Sequence, residues 1–120
     1  TRYMQVTGVQ TCALPIYWEK QETISENFHL TKRKQFFQDI EDKNQFDLIY
    51  FDAFGFPLQP ELWSEVIFKK MYDALLPKGT LVTYACRSSI KNAMLSVGFS
   101  IEKLPGAPGK REMLRATKNV

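Results

Sequence analysis

The period of the hydrophobic positions changes several times along the chain, and each change marks a new element. Residues 46–52, Phe-Asp-Leu-Ile-Tyr-Phe-Asp, are nearly all apolar, and the continuous Leu48-Ile-Tyr-Phe51 core predicts a parallel strand buried on both faces. Gly55 and Pro57 mark a loop, and Pro60 suits the first position of a helix. Leu62, Val66, Ile67, Met71 and Leu75 then give the apolar stripe of an amphipathic helix, stopped by Pro77-Lys-Gly79. Residues 80–85 read as a second buried strand. Ser88 or Ser89 caps a helix carrying Ile90, Ala93, Met94 and Val97, with Gly98 as its left-handed end. Residues 99–104 and 112–117 alternate, and the Pro/Gly turn between them predicts an antiparallel pair.

Upstream the signal is weaker. Phe28-His-Leu-Thr31 alternates as a short strand, and Phe36, Phe37 and Ile40 predict a short amphipathic helix within residues 32–42. Residues 17–27 read as the end of an element plus a connection. Strands alternating with helices predict an α/β fold with a mostly parallel sheet.

The first sixteen residues stand apart. Val6-Thr-Gly-Val-Gln-Thr-Cys-Ala-Leu-Pro-Ile16 matches the translation of a common sequencing-library adapter, and Thr1-Arg2 fits the flow-cell sequence upstream of it. We therefore expect residues 1–16 to be non-native. Residues 17–120 are expected to be the C-terminal part of a single domain.

Charge and cysteine narrow the picture only slightly. The net charge is +3, which alone does not argue for a nucleic-acid binder. It is concentrated near the end, where Lys103, Lys110, Arg111, Arg115 and Lys118 face a single acid, Glu112. That cluster is either a solvated basic face or a phosphate-facing patch. Outside residues 1–16 the one thiol is Cys86, too few for a disulfide framework or a cysteine zinc site, and a reducing, cytoplasmic compartment fits. No apolar run approaches the ~18 residues a membrane span needs.

Candidate chemistry gathers where strands end. In an open parallel sheet, ligands bind beyond the carboxyl ends of the strands, which is where Asp52 falls. Asp52 is either a carboxylate at a ligand edge or a loop-entry residue serving the turn. Asp47, at the strand's start, is the weaker candidate. Phe54, Phe56 and Trp63 form either an aromatic wall for a base or part of the core. Glu61 suits the positive end of its helix without a catalytic role. Tyr84 ends the next strand at the same edge and could line a pocket. Arg111 either clamps a phosphate or pairs with an internal carboxylate. His29 stands alone and reads as a surface strand residue. There is no G-x-G-x-x-G, no P-loop, no nucleophile elbow and no metal-ligand spacing. A phospho-receiver reading fails because Lys78 precedes its strand.

Four ordered segments carry a resemblance: Asp47-Leu-Ile-Tyr-Phe-Asp-Ala-Phe54, Pro60-Glu-Leu-Trp63, Gly79-Thr-Leu-Val-Thr-Tyr84 and Gly109-Lys-Arg-Glu-Met113. Over residues 46–118 the chain resembles the MnmC/MnmD-type tRNA methyltransferases. The resemblance implies a Rossmann-like S-adenosylmethionine-dependent fold, N-terminally truncated, with the last strand inserted as an antiparallel hairpin. It implies methyl transfer from S-adenosylmethionine to the 5-aminomethyl group of the wobble (2-thio)uridine of tRNA, with no metal and no membrane. Asp52 is then the catalytic residue, with Ala53 and Phe54 beside it at the cofactor. Phe54, Glu61, Trp63, Tyr84, Lys110 and Arg111 are expected to bind substrate. The glycine-rich cofactor loop and the ribose-gripping acid of this family lie upstream and have no counterpart here, so the fragment alone is expected to be inactive. Two alternatives remain: a non-catalytic RNA- or protein-binding Rossmann-like domain, and half of a bifunctional methyltransferase/flavin-dependent oxidoreductase.

Overall fold

The structure, a computed structural model, describes residues 2–7, 18–53, 55–106 and 112–119, with the backbone alone over 2–7. It falls into two compact units, residues 1–40 and 41–120.

The first unit is a three-stranded sheet in the order β1-β3-β2, built from β1 (Arg2–Thr7), β2 (Gln21–Ser25) and β3 (Phe28–Arg33). β1 runs parallel to β3, and β2 antiparallel. The segment set aside as adapter-derived thus supplies β1; ladder bonds join backbones, so the pairing is silent on its origin. β2 corrects the expected connection over residues 17–27. Its side chains are mostly exposed and polar, so no burial pattern announced it. His29 lies on β3, with Nδ1 3.1 Å from the Thr23 hydroxyl.

The helix expected within residues 32–42 is also corrected. β3 runs on to Arg33, and only a single 3-10 turn, Phe37–Asp39, follows. Phe37 and Ile40 are three apart, a spacing that one 3-10 turn satisfies. Ile40 is buried while Phe36 stays exposed, too little apolar surface to hold a longer helix.

The second unit is a four-stranded mixed sheet in the order β4-β5-β7-β6. It contains β4 (Phe46–Phe51), β5 (Leu75–Thr83), β6 (Ser100–Leu104) and β7 (Met113–Thr117), with helices α1 (Glu65–Ala74) and α2 (Ser88–Ser96). β4 and β5 are parallel; β7 is antiparallel to both β5 and β6, so the predicted hairpin forms and its last strand inserts against β5.

The two helices pack against each other, with the Ser96 hydroxyl donating to Glu65 at 2.8 Å. Their side of the sheet holds the core: Phe51, Phe68, Leu81, Ile90, Met94, Leu114 and Ala116 are all buried. The expectation that β4 is covered on both faces fails. Leu48 is 46% exposed and Tyr50 73%, because β4 is an edge strand and the helices cover the other face.

Helix boundaries differ from the sequence pattern for local reasons. Pro60–Trp63 forms a 3-10 turn, and α1 starts only at Glu65. Its buried face is Ile67, Phe68 and Met71, while Val66 points to solvent. α1 ends at Ala74 rather than at Pro77, because Leu75 is drawn into the sheet opposite Phe46. Pro77-Lys-Gly79 instead forms an irregularity inside β5, with Lys78 left-handed at φ 71°. Neither serine caps α2: Arg87 occupies the cap position without a side-chain bond. Gly98 does turn left-handed, at φ 112°.

Lys118 is a buried cation of the second unit. It is 7% exposed, its Nζ donates to the Leu75 carbonyl at 2.8 Å and to Asn44 Oδ1 at 3.1 Å, and it lies over the Tyr72 ring. A charge that is bonded in this way is tolerated in the interior.

Candidate active site

Parallel pairing of β4 with β5 brings their carboxyl ends side by side, Phe51 opposite Thr83. The next residues, Asp52-Ala53 and Tyr84-Ala85, therefore leave the sheet together. The Tyr84 hydroxyl donates to the Ala53 carbonyl at 2.9 Å, tying the two loops. Burial and the nearby Asp52 carboxylate both push the Tyr84 phenol above its ordinary value of 10.0. Tyr84 is thus held as a neutral donor, half exposed, beside an anion.

Two hollows meet at Tyr84. One, about 250 Å³, opens between Asp52, Tyr50, Val82, Tyr84 and Met113. The other, about 360 Å³, lies between the loop after β4 and the entry to α2, and is lined by Phe56, Pro57, Tyr84, Cys86 and Arg87 among others. The Arg87 guanidinium sits over the Phe56 ring, 4.7 Å from its centroid. Cys86 Sγ donates to the Glu112 carbonyl, fastening this loop to the approach of β7. The turn after β4 closes on itself, since the Leu58 and Gln59 amides both donate to the Gly55 carbonyl.

The expected site residues separate into three groups. Asp52, Ala53 and Tyr84 come together. Trp63 is 2% exposed and packs edge-on to Phe51 and Tyr84, at 5.0 and 5.8 Å between centroids, so it backs the site from the core. Glu61 is exposed in its 3-10 turn. Phe54, Lys110 and Arg111 lie outside the described residues. Of the basic cluster, Lys118 is buried, which removes it from any phosphate-facing patch, and Arg115 pairs with Glu102 at the surface. The residue that sequence reasoning passed over is Arg87. Its signal was position: three residues beyond Tyr84, at the same carboxyl edge.

Residues 13–119 match the family described as S-adenosyl-L-methionine-dependent methyltransferase. The chain belongs to this methyltransferase family. Among curated relatives, it is 26% identical over 112 residues to the tRNA 5-methylaminomethyl-2-thiouridine biosynthesis bifunctional protein MnmC of Actinobacillus pleuropneumoniae serotype 5b, covering 84% of this chain and 17% of that protein. MnmC of Aeromonas hydrophila is 31% identical over 68 residues, 57% of this chain and 10% of the relative. The chain thus spans under a fifth of the length of these relatives. Among solved structures, MnmC2 from Aquifex aeolicus superposes with a TM-score of 0.76 at 20% identity, covering 98% of this chain and 44% of that one. The resemblance to MnmC-type methyltransferases and the Rossmann-like fold are both borne out.

The described residues fit one end of the family's cofactor. A carboxylate and a tyrosine ring suit a cationic sulfur, by charge and by cation–π attraction. The hollow beside them is smaller than the roughly 300–1,000 Å³ of small-molecule sites. Among the described residues no glycine-rich loop is present to cradle the nucleoside end. No described helix is long and apolar enough to cross a membrane, and no cluster of metal-ligating side chains occurs among the described residues.

Proposed function

We propose that residues 17–120 are the C-terminal part of the methyltransferase domain of a cytoplasmic enzyme that modifies tRNA, methylating the 5-aminomethyl group of the wobble (2-thio)uridine. The observation that carries the reading is the Asp52 carboxylate at the carboxyl end of β4, facing Tyr84, whose hydroxyl is anchored on Ala53. The bound cofactor would supply a methyl group on a positively charged sulfur. The residues of this chain do the rest. Asp52 orients the acceptor amine, whose lone pair must be free to form the new N–C bond, and takes up the proton released from nitrogen. Tyr84, kept protonated, fixes the strand-end loops so that the amine is held in line, the main source of acceleration in such a displacement.

A chimera tests this reading. Residues 17–119 replace the matching segment of the Actinobacillus MnmC, and transfer of labelled methyl to undermethylated tRNA is measured. The chimera should methylate, and Asp52→Asn should slow it by about 10²-fold or more. A folded chimera indifferent to Asp52→Asn would remove Asp52 from the mechanism. The 120-residue chain alone should bind S-adenosylmethionine more weakly than ~1 mM in a titration calorimeter. Tighter binding would show that the upstream cofactor loop is dispensable.

A further inference from the structure

The larger hollow has a feature that the methyl-transfer step does not use: the guanidinium of Arg87 over the Phe56 ring, 4.7 Å from its centroid. At about 360 Å³ it falls within the roughly 300–1,000 Å³ of small-molecule sites, where the Asp52 hollow does not. Arg87 is the single cation among the described residues lining the two hollows. Both hollows are lined by Tyr84, so they adjoin at that residue, one of them beside Asp52.

Proteins read unpaired RNA by stacking its bases on aromatic rings and on guanidinium planes, and by pairing arginine edges with phosphate. The Phe56–Arg87 stack offers both at once. The guanidinium sits over the phenyl ring and stays exposed to solvent, so a base can add to the cation–π contact and a phosphate can take its N–H groups. The stack is also held in place. Arg87 stands at the N-terminal cap position of α2, a helix anchored by the buried Ile90, and the preceding Cys86 is bonded to the Glu112 carbonyl.

We propose that this hollow receives the flipped-out acceptor nucleoside, with Phe56 and Arg87 forming its stacking platform and Arg87 also pairing with the adjacent phosphate. The proposal rests on the tRNA reading above and adds the residues that position the base. Arg87 is a positioning residue. The chemistry stays with Asp52.

The test is binding of a fluorescent anticodon stem-loop RNA, with an unpaired uridine at the wobble position, to the full 120-residue chain over a range of salt. Arg87→Ala should weaken binding by about tenfold or more and lower the salt slope by about 0.7, the loss of one phosphate contact. Arg87→Lys should keep the slope and still lose affinity, since it keeps the charge but not the plane. Phe56→Ala should lose affinity with the slope unchanged. Arg87 is exposed, so Arg87→Ala should keep the wild-type circular dichroism. Stem-loop binding unaffected in affinity and slope by all three variants would overturn the platform while leaving the tRNA reading standing. No binding by the wild-type chain at low salt would overturn both.

Discussion

Trp63→Ala decides whether this tryptophan belongs to the core or to a ligand. Its ring is 2% exposed and lies against three others: Phe51 at 5.0 Å, Tyr84 at 5.8 Å and Phe68 at 6.4 Å between centroids. All three distances fall in the range where aromatic pairs attract. Burying a tryptophan removes roughly 200 Å² from water, which at about 25 cal/mol per Å² gives ~5 kcal/mol as an upper figure. Truncations of this kind cost ~3–5 kcal/mol in practice, because the space left behind only partly collapses. We expect about 4 kcal/mol, against a total stability of only ~5–15 kcal/mol for a domain. The assay is urea unfolding followed by near-ultraviolet circular dichroism, with Trp63→Phe as the milder control. The alanine variant should be partly unfolded in buffer or lose most of its urea resistance, and the phenylalanine variant should recover more than half. A folded Trp63→Ala chain that loses less than about 1 kcal/mol but no longer binds anticodon stem-loop RNA would refute the core assignment.

The remaining predictions concern glycine, titration and the buried lysine. A Cβ at Gly79 would stand 2.8 Å from the Leu76 carbonyl and 2.9 Å from Leu75 Cδ2, so Gly79→Ala should cost about 2 kcal/mol in urea unfolding; Gly55→Ala, with nothing nearer than 3.8 Å, should cost far less. Burial first, and then the Asp52 charge, raise the Tyr84 phenol above 10.0, so its contribution to stability is present in full below pH 10.0 and is lost as pH rises through the folded value. Asp52→Asn should move this tyrosine's ultraviolet titration part of the way back toward 10.0, and an unmoved titration would place the two groups apart. Burial pushes the Asp73 carboxyl up, but hydrogen bonds from Lys69 and Lys43, at 2.9 and 3.3 Å, and their charges hold it below 3.8. Its stabilising effect is present above pH 3.8, is lost as pH falls through the folded value, and should stay under about 1 kcal/mol by comparison with Asp73→Asn. Lys118→Ala strips the Leu75 carbonyl and the Asn44 side chain of a charged donor, and should cost about 2–3 kcal/mol in the same urea assay.

Much of the second unit was legible because its signals are local. The continuous apolar run ending at Asp52, the alternation on either side of the last Pro/Gly turn, and the lone glycine after Val97 each fix a backbone state with few competitors. The ordered motifs around Asp52 and Tyr84 were enough for the family. What failed were inferences about surroundings. Continuous apolarity in β4 predicted cover on both faces, yet which faces are covered depends on where α1 and α2 pack, and Tyr50 is left open. Three apolar residues near Phe36 fitted a helix, but a helix that short draws its stability from partners, and only Ile40 found burial.

The sequence by itself determined the elements of the second unit, their order and the placing of one carboxylate at a strand's end, since these follow from side-chain period and chain direction. Only the tertiary structure decided which aromatics and cations serve the site. It turned Trp63 inward and closed Lys118 into the core. It also laid Arg87 on Phe56, residues 31 positions apart, because parallel pairing of β4 and β5 delivers their following loops to one edge. Spacing along a chain carries no record of that meeting; register across a sheet does.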